Sequence, residues 1–128
     1  MKKRQSLNGS RARHENPIPN ACRIGNIIMS SVIGGSNPGT RELPPTLEAQ
    51  IANLFGHIRH DVEAGGGTVD DIIKITFWLK DPARQRAALN EPWVQMFPDP
   101  SSRPARHTQQ LSADSKALVQ ADFIAVLT

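Results

Sequence analysis

Between Pro44 and Gly67 the sequence carries its strongest structural instruction. Leu47, Ile51, Leu54, Phe55, Ile58 and Val62 recur at helical spacing and make one apolar stripe. Pro44 and Pro45 precede the segment, Thr46 is placed to cap it, and Glu48 sits in the first turn, where the helix dipole favours negative charge. Gly65-Gly66-Gly67 ends it, because glycine tolerates the left-handed backbone that closes a helix. A helix apolar along one side has to be covered by the rest of the chain.

The flanking segments read as the sheet that covers it. Ala21–Asn26 and Ile27–Ile33 are two short strands joined by a Gly25-Asn26 turn, and Gly34–Gly39 breaks the pattern into a loop. Asp70–Lys80 is rich in β-branched and aromatic residues, with Ile73, Ile75, Phe77 and Leu79 expected on one face. Asp81-Pro82 starts a second helix that runs toward Met96-Phe97, and Pro92 inside it should kink it or split off its last turn. Arg106–Leu111 and Ala117–Thr128 are closing strands around a turn at 112–116. The order is β-β-α-β-α-β-β, an α+β layer with a mostly antiparallel sheet and two helices on one face. Ile72, Thr76 and Trp78 are expected on the other face, and a half-apolar second face argues for burial against further copies of the chain.

Length and composition narrow the rest. The 128 residues suffice for one modest core, and no apolar run approaches the roughly 20 residues that span a bilayer. Met1-Lys2-Lys3-Arg4 starts as a signal peptide does, but the polar stretch from Ser6 to Asn16 follows, so the expected location is the cytoplasm. The single cysteine, Cys22, excludes an internal disulfide and is read as a small buried strand residue. Residues 1–14 hold five basic residues and no acid, leaving 10 basic and 12 acidic residues behind them. The reading is a basic, flexible tail over 1–16 and a single near-neutral domain over 17–128, a charge distribution that disfavours nucleic acid as partner. His57 and His60, three apart, have a spacing that can bind zinc, but no third ligand is evident and they read as a solvated helix face.

Several short motifs recur together. They are Ala21-x-Arg-x-Gly-Asn26, Ser30-Ser31, Glu63-Ala-Gly65, Asp71-Ile-Ile-Lys74 leading to Leu79-x-Asp81, Leu89-Asn90-Glu91-x-Trp93 and Arg103-Pro-Ala-Arg106. In this order and spacing, from about Pro17 onward, the chain resembles the RidA (YjgF-type) family as a divergent member. The resemblance implies a chorismate-mutase-like α+β fold, a homotrimer with clefts between subunits, and hydrolysis of reactive enamines or imines to a keto acid and ammonia. It implies no metal and no organic cofactor.

The same resemblance nominates a site. Arg106 matches the family's carboxylate-binding arginine, whose planar guanidinium can grip a carboxylate through two parallel hydrogen bonds. Thr108, two residues on and therefore on the same strand face, stands where several relatives have cysteine; its backbone N–H could still bind substrate. Ser31 aligns with a family serine and reads either as a hydroxyl donor in the cleft or as a satisfied strand serine, while Val32 and Ile33 grease that wall. Asn90, aligned with the family's helix-two asparagine, reads either as a cleft residue or as a local helix cap or surface residue. Ile18 replaces a tyrosine, and Gln120 replaces a glutamate thought to orient the attacking water; glutamine can hold a water but cannot accept its proton. Asp122, two residues further on the same face, is an alternative acid or a solvent or interface residue. His107 alternates away from Arg106.

The leading expectation is a hydrolytic deaminase of a small carboxylate-bearing enamine or imine, with Gln120 at the catalytic position and Arg106, Thr108, Ser31, Asn90 and Ile18 around the substrate. The alternative is a non-catalytic carboxylate-binding trimer of the same family. RNA binding or cleavage is a third reading, which the near-neutral body disfavours.

Overall fold

The computed structural model describes residues 3–9 and 11–128. The first expected helix is α1, Leu47–Ala64, with Thr46 Oγ1 accepting from the Ala49 N–H at 3.2 Å. Its stripe is buried as the spacing demands: Leu54, Ile58 and Val62 are inaccessible, Ile51 and Phe55 nearly so, and Leu47 is partly covered. Gly66 takes a φ of +90° just past the helix, the left-handed step the glycine triplet provides.

The strands are β1 (Arg4–Leu7), β2 (Ala21–Ile24), β3 (Ile27–Ser30), β4 (Ile33–Gly34), β5 (Ile72–Leu79), β6 (Ala105–Gln110) and β7 (Val119–Val126). They form one seven-stranded sheet in the order β1-β2-β3-β7-β5-β6, with β4 also on β7. Every pairing is antiparallel except β5–β6. That parallel pair needs a crossover, which the second helical segment supplies. The crossover is broken: α2 (Pro82–Gln85), a 3₁₀ turn (Arg86–Leu89) and α3 (Asn90–Met96). Pro92 lies in the first turn of α3, where a missing N–H is tolerated, so the break falls just before it. The Lys80 ammonium donates to the carbonyls of Ser112, Ala113 and Ser115 and closes the turn before β7.

The helices cover one sheet face. Ile28, Ile33, Ile75, Phe77, Leu79, Val119, Ala121 and Phe123 point into that layer and are essentially inaccessible. The opposite face carries Gln120, Asp122, Ile124 and Val126 from β7, alternating with the buried set. Ile24, Ile27 and Met29 are about half exposed there.

Four expectations are corrected. Residues 4–7, assigned to a flexible tail over 1–16, form an edge strand: Arg4–Leu7 pair with Ile24–Ala21, and Leu7 is buried. The unpaired edge of β2 offers hydrogen bonds, and Leu7 adds an apolar anchor; the tail's composition hid both. Behind that strand Arg11 is tied to the fully buried carboxylate of Asp61 on α1. Residues 1, 2 and 10 lie outside the described residues. Ile72 and Ile73 exchange roles, because a register shift between Ile72 and Lys74 inserts one residue; Ile72 enters the core and Ile73 faces outward. His57 is buried, not solvated; its Nε2 lies 2.7 Å from the Ser36 carbonyl, which can only accept, so that nitrogen carries the proton. Cys22 is only partly buried. No helix among the described residues is long and apolar enough to cross a membrane.

Candidate active site

The expected site residues fall into two groups on opposite faces of the sheet. Arg106 lies beside Ile75, which pairs with Phe123, and Thr108 lies beside Phe77, which pairs with Ala121. Those neighbours are core residues, so Arg106 and Thr108 sit on the helix side at the β6 edge. Gln120 lies opposite Trp78, which pairs with Gln109, so it projects from the uncovered face.

The first group is built around Arg106. A chain of rings runs from the core to it: Phe55 stacks on Phe77 at 5.7 Å, Phe77 meets the edge of Trp93 at 6.2 Å, and Trp93 meets Phe97 at 4.9 Å. The Arg106 guanidinium carbon lies 5.2 Å from the centre of the Trp93 ring, so the cation rests on an aromatic floor. Its Nη2 donates to the Arg86 carbonyl at 3.2 Å and to Asn90 Oδ1 at 3.0 Å. Asn90 therefore orients the arginine through its side-chain oxygen. Partial burial, and then the nearby Arg86 cation, pull the Arg106 pKa below the ordinary arginine value. It stays charged at neutral pH. Both acceptors are neutral, and no carboxylate pairs with Arg106 among the described residues. A half-buried cation between neutral acceptors and a second cation keeps donors and charge that an anion could use. Sequence reasoning gave Trp93 no role beyond its place in a motif, and Arg86 none at all.

The second group lines a cavity of about 490 Å³ that contains Ile18, Ser31, Val32 and Gln120 but not Arg106, Asn90 or Thr108. Ser31 Oγ donates to the Pro19 carbonyl at 2.7 Å, so its proton is spent holding the 17–20 loop and only its lone pairs face the cavity. The expected greasy wall is half present. Ile18 and Val32 are exposed in the cavity, whereas Ile33 is in the core on β4, pointing to the other face. Asp122 does not line this cavity. It is one face-repeat from Gln120, about 7 Å along the strand. Burial, moderated by Lys74, raises its pKa. The cavity's other wall was not foreseen: Arg13, His14 and Arg41 stand around its rim. The first two had been assigned to a free tail. Among the described residues no group of three or more His, Cys, Asp or Glu gathers to hold a metal.

A model of the family described as Endoribonuclease L-PSP matches residues 10–127. The chain belongs to this family, the RidA/YjgF family. Over 109 residues, 82% of this chain and 84% of the other, it is 30% identical to a 2-iminobutanoate/2-iminopropanoate deaminase of Escherichia coli. It is 31% identical over 81 residues to a RutC family protein of Haemophilus influenzae, a match spanning 62% of that relative. The RidA structure from an Antarctic Psychrobacter superposes with a TM-score of 0.86 at 29% identity, covering 96% of this chain and 99% of that one. The YjgF structure from Escherichia coli superposes with a TM-score of 0.84 at 26% identity, covering 95% and 98%. Imine deaminase chemistry is thus represented within the RidA/YjgF family, and the α+β architecture expected from the motifs is the family's fold.

Proposed function

We propose that this RidA/YjgF protein is a hydrolytic deaminase of small carboxylate-bearing imines or enamines, working in clefts between the subunits of a homotrimer. The observation that carries this is Arg106, a half-buried cation held on Trp93 whose acceptors among the described residues are neutral. A 2-imino acid offers the missing counter-ion beside the bond to be hydrolysed, and a relative is named for two such acids.

The two-group geometry supports the assembly. A small substrate cannot touch Arg106 and Gln120 of one chain, because the sheet lies between them. If the two residues share a substrate, they come from neighbouring copies. The exposed Ile24, Ile27, Met29 and Ile73 supply apolar area for that contact.

In this reading Arg106 fixes the carboxylate and Thr108 borders it. Water held by Gln120 adds its oxygen to the electrophilic C=N carbon, while its proton passes to the imine nitrogen. The resulting amino alcohol expels ammonia and leaves a C=O, giving a 2-oxo acid. Gln120 positions the water and takes no proton. The rate enhancement is then mainly one of placement, which the electrophilic carbon makes sufficient.

Ammonia release from 2-iminobutanoate generated in situ tests the proposal. Wild-type turnover that Arg106→Ala reduces at least tenfold, with the fold intact, is the expected result. Gln120→Glu should raise turnover by supplying a carboxylate general base. Arg106-dependent binding of 2-oxobutanoate without turnover in either protein would favour the non-catalytic carboxylate-binding trimer.

A further inference from the structure

The Gln120 cavity has a feature that hydrolysis of a simple 2-imino acid does not use. Its apolar wall, Ile18 and Val32, is bordered by Arg13, His14 and Arg41. Arg41 is braced by the chain: its Nη2 donates to the Arg13 carbonyl at 2.8 Å, and its Nη1 donates to Glu15 at 3.2 Å. Those bonds use two of five guanidinium N–H donors, leaving three. Glu15, the acid of the group, keeps 76% of its side chain in solvent, so an incoming anion can displace it at little cost. The Arg13 side chain has no partner among the described residues and is exposed. Arg11 is committed to buried Asp61 and takes no part.

The arrangement is also anchored. Arg11 fixes the segment ahead of Arg13 to Asp61 on α1 and to the Asn20 carbonyl before β2. Asn53 donates to the Gly35 carbonyl and to Asn37, holding the loop that carries Arg41. Two guanidiniums lining the same cavity as Ile18 and Val32 suit an anion joined to the reacting group by a short apolar spacer.

We infer that the cavity selects substrates with a second carboxylate, so that the protein's preferred substrate is a dicarboxylic 2-imino acid rather than a monocarboxylic one. The inference rests on the composite-cleft reading, in which Arg106 takes the carboxylate beside the imine. Arg13 and Arg41 then take the distal one, with the intervening methylenes against Ile18 and Val32. Cavities of about 300–1,000 Å³ hold small ligands, and the 490 Å³ here has room for such a chain.

Calorimetric titration of the full-length protein with two stable 2-oxo acids of equal carbon number, 2-oxoglutarate and 2-oxopentanoate, tests this. The diacid should bind about tenfold tighter or better, since charge-assisted bonds of this kind readily supply that factor. Arg13→Met and Arg41→Met should each erase most of the preference while changing 2-oxopentanoate affinity less than twofold. Arg41→Lys, which keeps the charge, should retain part of it, separating a ligand role from loss of the loop. Equal affinity for both probes, or a preference that survives Arg13→Met/Arg41→Met, overturns the inference. Arg106→Ala separates it from the reading beneath it. Weakening of both probes with their ratio preserved supports both. No effect on either probe, with the diacid preference intact, removes the composite cleft and with it the two-ended binding inferred here.

Discussion

Replacing Arg11 with alanine removes the guanidinium paired with a carboxylate that is shut off from solvent. The Asp61 side chain is fully inaccessible, and Arg11 retains only 13% of its side-chain exposure. Arg11 Nε lies 3.2 and 3.0 Å from the two Asp61 oxygens, and Nη2 donates to the Asn20 carbonyl at 3.2 Å. Burial raises the Asp61 pKa above the ordinary 3.8, while Arg11, His57 and His60 pull it down. Breaking a buried pair by removing one member costs about 3–5 kcal/mol, because the remaining charge is stranded. For a domain of this size about 3 kcal/mol corresponds to a loss on the order of 10 °C in melting temperature. The sign of the pH dependence follows. A carboxyl whose folded pKa is raised favours folding when protonated; that contribution is complete below 3.8 and is lost as pH rises through the folded value. Losing Arg11 raises the folded pKa further, so the penalty should be large at pH 7.5 and shrink toward pH 4. Thermal unfolding followed by circular dichroism, at equal protein concentration and both pH values, measures it. A loss below about 1 kcal/mol, or one as large at pH 4 as at pH 7.5, would refute the assignment of Asp61 as a buried charge held by Arg11.

Gly35→Ala should destabilise the fold by about 1–3 kcal/mol or more, because the added methyl would lie 2.7 Å from the Gln50 Cα on α1, where backbone cannot yield; chemical denaturation checks it. Trp93→Leu removes the floor under Arg106 and should weaken 2-oxobutanoate binding several-fold, beyond any stability loss; calorimetry on the folded variant reads it. Sedimentation should give a trimer at micromolar concentration, and Met29→Glu on the uncovered face should shift it toward monomer; a wild-type monomer removes the intersubunit cleft. Deleting residues 1–9 should lower the melting temperature, because it strips β1 and the Leu7 anchor from β2; unchanged melting would mean that β1 contributes nothing.

Local chemistry made the main elements legible without coordinates. The α1 stripe, its Thr46 cap and its glycine stop, the two strands around Gly25, and the proline that breaks the crossover are each written within a few consecutive residues. The motif around Arg106 identified a cation of the kind the structure then shows seated on Trp93. For Asn90 the sequence left a cleft role and a local one open, and packing is what sets its Oδ1 against Arg106.

What the sequence could not specify depended on partners far along the chain. Composition marks residues 1–16 as a solvated arm, yet whether such an arm docks depends on an unpaired β2 edge and on a buried Asp61 some 50 residues away. Which of Ile72 and Ile73 enters the core depends on a bulge, and strict alternation cannot foresee one inserted residue. The division of the site across two sheet faces is likewise a matter of register, since it follows from which β7 residues stand opposite which β5 and β6 residues. The sequence by itself determined the helices and most strands, because each rests on short-range periodicity, and a contiguous motif nominated Arg106. Only the tertiary structure decided that Arg106 pairs with no acid among the described residues, that Gln120 looks the other way, and that Arg13 and Arg41 line its cavity, because burial and long-range pairing set the surroundings of a charge.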